Sequence, residues 1–509
     1  MSDNSQNNKR IAKNTLMLYV RMLLIMAVSL YTSRVILQAL GVEDFGLYNV
    51  VGGVVVLFTF INNAMVTSTQ RFLNFEIGRN NLDEARKVFS ASLNIHIIIA
   101  GAFLLLAETV GLWFLNRYIQ IPEGREIAAN WVYQFSIIVS ILNIIRSPYN
   151  AAIIAHEHMS FYAYVSIIEV ILKLAIVYMV YLFADRLIAY AFLMMMVTLI
   201  VLGVYYIFCK RKYEICRYKF EYDRKRYMAL ASFSGWSLFG SLANMGASQG
   251  INIILNMFFG VSVNAAMGIA NQVNAAVYQF VSSFQTAFNP QIIKSYAAGD
   301  RTYFISLIMN TSRYSFLLLF LLALPIYICC PEILSIWLGT VPEYAVEFCR
   351  LMILFLLIDA VQGPLWVSAQ ATGKIRNYQV LMSVLILLNL PITYVLLIFF
   401  KNPEIALIVR VAVNFITAVA RVIYLNHLYD FPVGRYIKDV ILKCLIVLVI
   451  SYPIPYLVHN MSGTTLIDTL ANVFIAMISA TVFIALIGLR SKERVLIINK
   501  MKQVFHKVG

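Results

Sequence analysis

Residues 147–164 read SPYNAAIIAHEHMSFYAY, and residues 363–380 read GPLWVSAQATGKIRNYQV. Pro148 aligns with Pro364 at an offset of 216 residues, and a tyrosine near the end of each segment aligns at the same offset. A fixed offset between distant segments is typical of an internal duplication. The chain is therefore predicted to contain two related halves.

A second pair of segments has nearly the same offset. Residues 40–51, LGVEDFGLYNVV, resemble residues 259–270, FGVSVNAAMGIA, and Gly41 aligns with Gly260 at an offset of 219. Identities are few in each pair, but the two offsets agree, and both pairs join equivalent hydrophobic stretches. The repeat therefore covers a large part of each half.

The composition is that of an integral membrane protein. The 509 residues are 61% hydrophobic and only 13% charged, about half the charged fraction of an ordinary soluble domain. The net charge is +15, which in a soluble protein would suggest nucleic-acid binding. Because nearly every long segment is apolar, no soluble basic face is available, and we expect no nucleic-acid partner.

A helix needs about 20 mainly apolar residues to span a bilayer. The sequence predicts an all-α polytopic membrane protein with about fourteen such spans. They cover 14–39, 47–71, 89–114, 128–154, 163–183, 188–209, 230–258, 264–290, 305–329, 346–370, 378–400, 405–426, 439–458 and 466–489.

The repeat offset equals six spans, which keeps the membrane orientation and predicts two parallel six-helix lobes. Spans thirteen and fourteen are an addition. The predicted parts are the N-lobe 1–209, a basic linker 210–229, the C-lobe 230–426, the two extra spans 427–489 and a basic tail 490–509.

Basic residues are concentrated on one side of the predicted topology. With the N-terminus inside, 27 Lys and Arg residues fall in cytoplasmic segments and only four in outer loops. This bias predicts that both termini are cytoplasmic. The basic linker 210–229 is expected to fix the topology and contact anionic lipids, and a specific partner site there is the less favoured alternative.

Sequence motifs for soluble catalysis are missing. The chain has no GxxxxGK, HExxH or GxSxG motif, and its predicted loops are too short to form a domain. We therefore expect no enzyme activity, no cofactor and no metal. The six cysteines have no CxxC or zinc-ligand spacing and are expected to be reduced apolar residues.

Three predicted spans carry polar residues at helical spacing through membrane depth. Such stripes either hydrogen-bond neighbouring helices or line a water-filled cavity between the lobes, and their equivalent places in the repeat favour the cavity. They comprise Thr59, Asn63, Thr67, Gln70 and Asn74 in span two, Ser234, Ser237, Ser241, Asn244, Ser248, Asn252 and Asn256 in span seven, and Asn264, Asn271, Asn274, Tyr278, Ser282, Gln285 and Asn289 in span eight.

Arginines at membrane depth usually face a cavity, a partner or an interface. Arg34 lies just before Gly41, where its side chain could snorkel to the outer interface. Arg21 is expected to snorkel to the inner interface. Arg71 ends the polar face of span two, so it is a candidate for the cavity.

Acidic residues in spans are candidates for ion coupling. Asp359 lies in the middle of span ten with no basic residue at helical spacing, and Glu108 lies in span three. Glu169 is four residues before Lys173, so an intrahelical ion pair is favoured over coupling there.

Several of these segments carry a family resemblance. The segments SRVILQALGVEDFGLYNV (33–50), TSTQRF (67–72) and RSPYNAAIIAHEHM (146–159) resemble polysaccharide flippases of the multidrug/oligosaccharidyl-lipid/polysaccharide (MOP) superfamily. The resemblance implies the MATE-like fold, with the lobes in a V around a cavity lined by spans one, two, seven and eight. It also places Arg34 at a cavity-facing position, although span eight lacks the arginine found in lipid II flippases.

The resemblance implies translocation of undecaprenyl-pyrophosphate-linked oligosaccharides of O-antigen, capsule or exopolysaccharide across the bacterial inner membrane, by alternating access and with ion coupling. Glycosyltransferases and a glycan polymerase are the implied partners. Two alternatives stay open: a cation-coupled multidrug antiporter on the same fold, and a membrane-embedded polymerase or ligase. Substrate binding is assigned to Arg34, Asn63, Thr67, Gln70, Arg71, Asn244, Asn252, Asn256, Asn271, Tyr278 and Gln285, and ion coupling to Asp359, Glu108 or Glu169.

Overall fold

The computed structural model describes residues 2–56, 59–118, 121, 123–463, 465–490 and 493–494. Within these residues every regular element is helical, which confirms the all-α prediction. The chain divides into two compact units. The first unit is Met1–Ser241 with Thr286–Asp300, and the second unit is Leu242–Gln285 with Arg301–Gly509.

Nineteen helices are numbered here in chain order. They are α1 (Ser2–Val56), α2 (Thr59–Gly78), α3 (Leu82–Leu106), α4 (Leu112–Tyr118), α5 (Glu126–Ala155), α6 (Met159–Met179), α7 (Arg186–Lys212), α8 (Arg224–Phe259), α9 (Val261–Ala297), α10 (Arg301–Ile328), α11 (Cys330–Leu338), α12 (Ala345–Ala371), α13 (Arg376–Leu387), α14 (Asn389–Phe400), α15 (Glu404–Tyr429), α16 (Val433–Tyr436), α17 (Leu442–Ser451), α18 (Pro453–Met461) and α19 (Leu466–Phe483).

Ten of the fourteen predicted spans are recovered by length and apolar composition, counting described residues only. The other four predicted spans, numbers one, two, seven and eight, lie in α1, α2, α8 and α9. Three of those spans carry the polar stripes, and span one carries Arg21 and Arg34. The polar stripes of spans seven and eight lower the hydropathy of α8 and α9.

The aligned glycines share one backbone conformation. Gly41 has φ 80° and ψ 170° and bends α1 between predicted spans one and two. Gly260, at φ 76°, separates α8 from α9. Residues with a Cβ rarely adopt such positive φ angles, so glycine is needed at both bends.

In the first unit, α5 is the central helix. It packs against α1, α2, α3 and α7. Its buried face carries small side chains, including Ala129, Ala151 and Ala152, which let neighbouring helices approach closely. Asp185 begins α7 by accepting hydrogen bonds from the backbone N–H groups of Leu187 and Ile188, both at 3.0 Å.

An arginine joins three segments of the first unit. Arg125, just before α5, donates to both carboxylate oxygens of Asp44 and reaches Asp185 with Nη1 at 2.8 Å. Asp44 follows the bend at Gly41, and Asp185 caps α7. This three-residue cluster therefore fixes α1, α5 and α7 to one another at one end of the unit.

In the second unit, α12 packs against α10 and α15, and α10 packs against α19. Predicted loop 330–346 is partly helical, because α11 occupies Cys330–Leu338 with a proline in its first turn. The six cysteines are unpaired and buried.

Candidate functional site

The second unit encloses a polar pocket of about 110 Å³, called here the second-unit pocket. It lies between α8, α12, α13, α14 and α15. Its lining consists of Asn244, Ala247, Ser248, Ile251, Phe355, Asp359, Ile386, Asn389, Arg410, Val413, Asn414, Thr417 and Arg421.

Asp359 is the acidic residue of this pocket. Among the described residues its carboxylate has no salt bridge within 4 Å, but it interacts electrostatically with Arg410 and Arg421. Arg410 stacks on the Phe355 ring at 4.7 Å, and Arg421 Nη1 donates to the Gln362 carbonyl oxygen at 3.3 Å. The three ionisable side chains give the pocket a formal charge of +1.

Both arginines keep unused hydrogen-bonding capacity. Arg410 Nη1 and Arg421 Nε are buried and have no hydrogen-bond acceptor among the described residues. Asn414, by contrast, is fully engaged: its Nδ2 donates to the Phe355 carbonyl oxygen at 3.1 Å, and its Oδ1 accepts from Gln362 at 2.8 Å. The two arginine nitrogens thus lack a compensating acceptor within the described part of the chain.

Sequence reasoning missed the two arginines. The sequence analysis found no basic residue near Asp359, because spacing along a helix identifies neighbours only within that helix. Both arginines lie in another helix, α15. A signal was present, because Arg410 and Arg421 are eleven residues apart, about three helical turns, and so lie on one face. Arginines on one face of a membrane helix indicate a polar site even before their partner is known.

The first unit contains a second polar pocket, of about 220 Å³, called here the first-unit pocket. It lies between α1, α5, α6 and α7 and is lined by Arg21, Ile25, Arg146, Asn150, Tyr162, Ser166, Glu169, Val170 and Tyr205. Lys173 Nζ contacts Glu169 Oε1 at 2.7 Å, which confirms the predicted ion pair. Arg146 Nη1 contacts the other carboxylate oxygen at 3.1 Å.

Arg21, predicted to snorkel to the inner interface, lies in the first-unit pocket. Its guanidinium stacks on the Tyr162 ring at 4.4 Å. The aromatic ring offers a cation–π contact inside the unit, which competes with hydration at the membrane surface.

The two pockets occupy equivalent places in the sequence repeat. The first-unit pocket is formed by predicted spans one, four, five and six, and the second-unit pocket by spans seven, ten, eleven and twelve. Each set is the other shifted by six spans. Tyr162 and Tyr378, aligned in the repeat, each lie beside an arginine, Arg21 at 4.4 Å and Arg421 at 5.9 Å.

The predicted binding residues of α1 and α2 lie in varied surroundings. The side chains of Arg34 and Asn63 lie outside the described residues. Thr67 and Gln70 are half-buried in α2. Arg71 is buried in the first unit and stacks on the rings of Phe72, Phe75 and Phe233.

Of the predicted binding residues in α8 and α9, some lie at the second-unit pocket and others pack against neighbouring helices. Asn244 lines the second-unit pocket, and Tyr278, 42% exposed, interacts electrostatically with Asp359. Gln285 packs against α10 and α12, donating to Ser315 Oγ at 3.2 Å and to the Ala360 carbonyl oxygen at 3.0 Å. Asn252, Asn256 and Asn271 line neither pocket.

Glu108, the remaining ion-coupling candidate, lies in a π-helical turn between α3 and α4. It accepts a hydrogen bond from Gln134 Nε2 at 3.2 Å. It is therefore separate from both pockets. No cluster of three His, Cys, Asp or Glu side chains suited to a metal ion occurs in the described part of the chain.

Comparison with known sequences gives one family match. The MatE family model matches residues 237–395, which cover parts of α8 and α14 and the helices between them. A comparison with curated protein sequences finds no significant match.

Solved structures similar to this chain are MOP-superfamily transporters. The MATE transporter ClbM in complex with Rb⁺ has a TM-score of 0.69 at 17% identity, covering 81% of this chain and 94% of its own. A single-residue mutant of the MATE transporter VcmN from Vibrio cholerae has a TM-score of 0.68 at 16% identity, covering 85% and 99%.

A third neighbour comes from Pyrococcus furiosus, with a TM-score of 0.68 at 13% identity, covering 84% and 96%. It is described as a MOP-superfamily transporter in which reverse polarity of the binding pocket suggests a different function. Residues 237–395 of this chain thus resemble the MatE family, and the chain has the fold of the MATE transporters.

Proposed function

We propose that this chain is a flippase for an anionic lipid-linked oligosaccharide, such as an undecaprenyl-pyrophosphate-linked repeat unit, working by alternating access. The observation that carries the proposal is the charge of the second-unit pocket. Arg410 and Arg421 outnumber Asp359, and both arginines keep unpartnered donors among the described residues. Pyrophosphate oxygens are acceptors that suit such donors.

The same charge opposes an organic cation. A monovalent cation about 6 Å from one uncompensated guanidinium is repelled by roughly 3 kcal/mol at an effective dielectric constant of about 20. That energy lowers the affinity by a factor on the order of 100. The substrate preferred by this pocket is therefore an anion.

Pocket polarity is also linked to function in the description of one structural neighbour. The transporter from Pyrococcus furiosus is described by a reversed pocket polarity that suggests a different function. This supports using pocket charge, and not fold alone, to choose between substrates.

A cation-coupled multidrug antiporter is the second candidate, and the comparisons favour it. The MatE family match and the similar MATE transporter structures, one of them in complex with Rb⁺, support this candidate. Asp359, which has no salt bridge among the described residues, is the group that would hold a proton or a metal cation. Coupling through Asp359 is also compatible with a flippase.

We place the protein in the bacterial inner membrane with both termini in the cytoplasm. The basic segment 210–229 would contact anionic lipids there. Glycosyltransferases that supply the repeat unit and a polymerase that consumes it are the proposed partners. The cavity between lobes and the roles of Arg34 and Asn63 stay predictions.

The discriminating experiment uses the full chain in liposomes. One set carries a fluorescent undecaprenyl-pyrophosphate oligosaccharide, whose outer-leaflet fraction is measured with an impermeant quencher. The other set measures ethidium movement under a proton or sodium gradient. We expect accelerated flipping and no ethidium transport, and we expect Arg410→Gln to slow flipping at least tenfold.

Arg435→Gln is the matched control, because Arg435 is 62% exposed and outside the pocket. Its flipping rate should equal that of the unmodified chain. Gradient-driven ethidium transport without lipid flipping would refute the proposal and establish the antiporter.

A further inference from the structure

The first-unit pocket has an excess of positive charge. Arg21 and Arg146 line the pocket with the single carboxylate of Glu169, and Lys173, which is outside the lining, binds the same carboxylate. The cluster therefore has three positive charges and one negative charge. These groups lie on helices that are predicted to cross the membrane, where uncompensated charge is costly. A net charge of +2 therefore requires compensation.

The carboxylate cannot serve Arg21. One oxygen of Glu169 accepts from Lys173 at 2.7 Å and the other from Arg146 at 3.1 Å. Arg21 Nε is buried with no hydrogen-bond acceptor among the described residues, and its guanidinium lies over the Tyr162 ring at 4.4 Å. A buried charged donor without an acceptor is costly, so an anion in the pocket would stabilise Arg21.

Neutral groups beside Arg21 fit an anion. Asn150 lines the pocket, and its Oδ1 is buried without a partner among the described residues. Oxygen and nitrogen of an amide exchange places by a half-turn, so the unpartnered position of Asn150 can hold either an acceptor or an NH₂ donor. The buried side chain of Tyr205 lies within electrostatic reach of both Arg21 and Arg146.

The pocket size favours a small ion. A volume of about 220 Å³ is enough for a halide or phosphate ion with a few waters.

We propose that the first unit binds a small inorganic anion, such as chloride or phosphate, in the first-unit pocket between Arg21 and Arg146. The anion completes the charge balance of the unit. It also joins α1 to α5, α6 and α7, since these four helices form the pocket. This site is independent of the proposed transport substrate, which is assigned to the second unit.

The test compares the full-length protein in uncharged detergent with chloride, phosphate or gluconate at constant ionic strength. We expect the thermal unfolding midpoint to rise with chloride or phosphate concentration and to saturate, as for a ligand that binds the folded state. Bromide soaked into crystals should give an anomalous peak beside Arg21. Arg21→Gln should abolish both effects, and Arg211→Gln, an exposed basic residue outside the pocket, should abolish neither.

A second variant covers the case in which Arg21→Gln does not fold. Asn150→Asp places a fixed negative charge in the pocket, so it should raise the midpoint in gluconate and remove the response to chloride. The proposal is overturned if chloride and phosphate give the same midpoint as gluconate, if Arg21→Gln responds like the unmodified chain, or if only an anionic lipid such as phosphatidylglycerol stabilises the protein.

Discussion

Replacement of Glu493 by glutamine should destabilise the second unit, because it removes the partner of a buried arginine. Arg313 in α10 has a side chain that is 1% exposed, and its Nη2 donates to Glu493 Oε1 at 2.6 Å. Arg313 Nε and Nη1 have no acceptor among the described residues. Glu493 is therefore the main compensation for this charge.

The expected magnitude follows from burial. Breaking a fully buried ion pair by removing one partner costs about 3–5 kcal/mol. The Glu493 side chain is 21% exposed, so water can partly replace it, and we expect the lower end, about 3 kcal/mol. This corresponds to a change on the order of 100-fold in the unfolding equilibrium constant.

The pair should also give a defined pH dependence. Burial alone would raise the pKa of the Glu493 carboxyl, but hydrogen bonds from the Arg490 backbone N–H, Tyr314 and Arg313 outweigh it and hold the pKa below its usual value. The stabilisation is therefore complete above the pKa of the unfolded chain and is lost as the pH falls through the lower folded pKa. Glu493→Gln should lack this acid-dependent loss.

The assay is equilibrium unfolding in mixed detergent micelles, followed by tryptophan fluorescence. The variant Arg313→Met with Glu493→Leu replaces the pair by apolar side chains and should recover most of the stability. A cost below about 0.5 kcal/mol for Glu493→Gln, or a double variant as unstable as the sum of both single ones, would show that the pair does not anchor α10.

Three further predictions concern single contacts. Asp44→Asn should lower the thermal midpoint by the equivalent of about 1 kcal/mol, because Arg125 keeps Asp185 and the three-residue cluster is partly exposed. An unchanged midpoint would show that this cluster does not fix α1 to α5 and α7. Gly363→Ala places a Cβ against the side-chain amide of Gln285 and should lower the unfolding free energy by about 1–3 kcal/mol. Adding Gln285→Ala should restore much of that stability. If the single and double variants are equally unstable, this clash is not the cause. Gly41→Ala should lower the unfolding free energy by about 1–3 kcal/mol, because Gly41 has a positive φ. Gly46→Ala is the control, since its Cβ would meet nothing within 4 Å. Equal effects of the two substitutions would disprove the backbone argument.

The helical architecture could be predicted from the sequence because it depends on local pattern. Hydrophobic length located the spans, and spacing of four residues identified the Glu169–Lys173 pair. The polar residues of span seven also led to Asn244, which lines the second-unit pocket.

Contacts between distant helices could not be predicted in this way. Arg313 and Glu493 are 180 residues apart. Asp359 interacts electrostatically with Arg410 and Arg421 because α12 packs against α15. Spacing within one helix does not report which helix lies beside it. Gln285 illustrates the opposite error, since a polar stripe residue expected in a cavity packs between helices instead.

The buried, unpaired state of all six cysteines has a practical consequence for topology mapping. Maleimides react with exposed thiolates, so the native thiols should give little background labelling in intact cells. A single new cysteine in segment 210–229, or in the predicted outer segment that contains Glu123, could then be modified by an impermeant reagent without first building a cysteine-free chain. The side on which each site reacts would determine the orientation of the whole helix series.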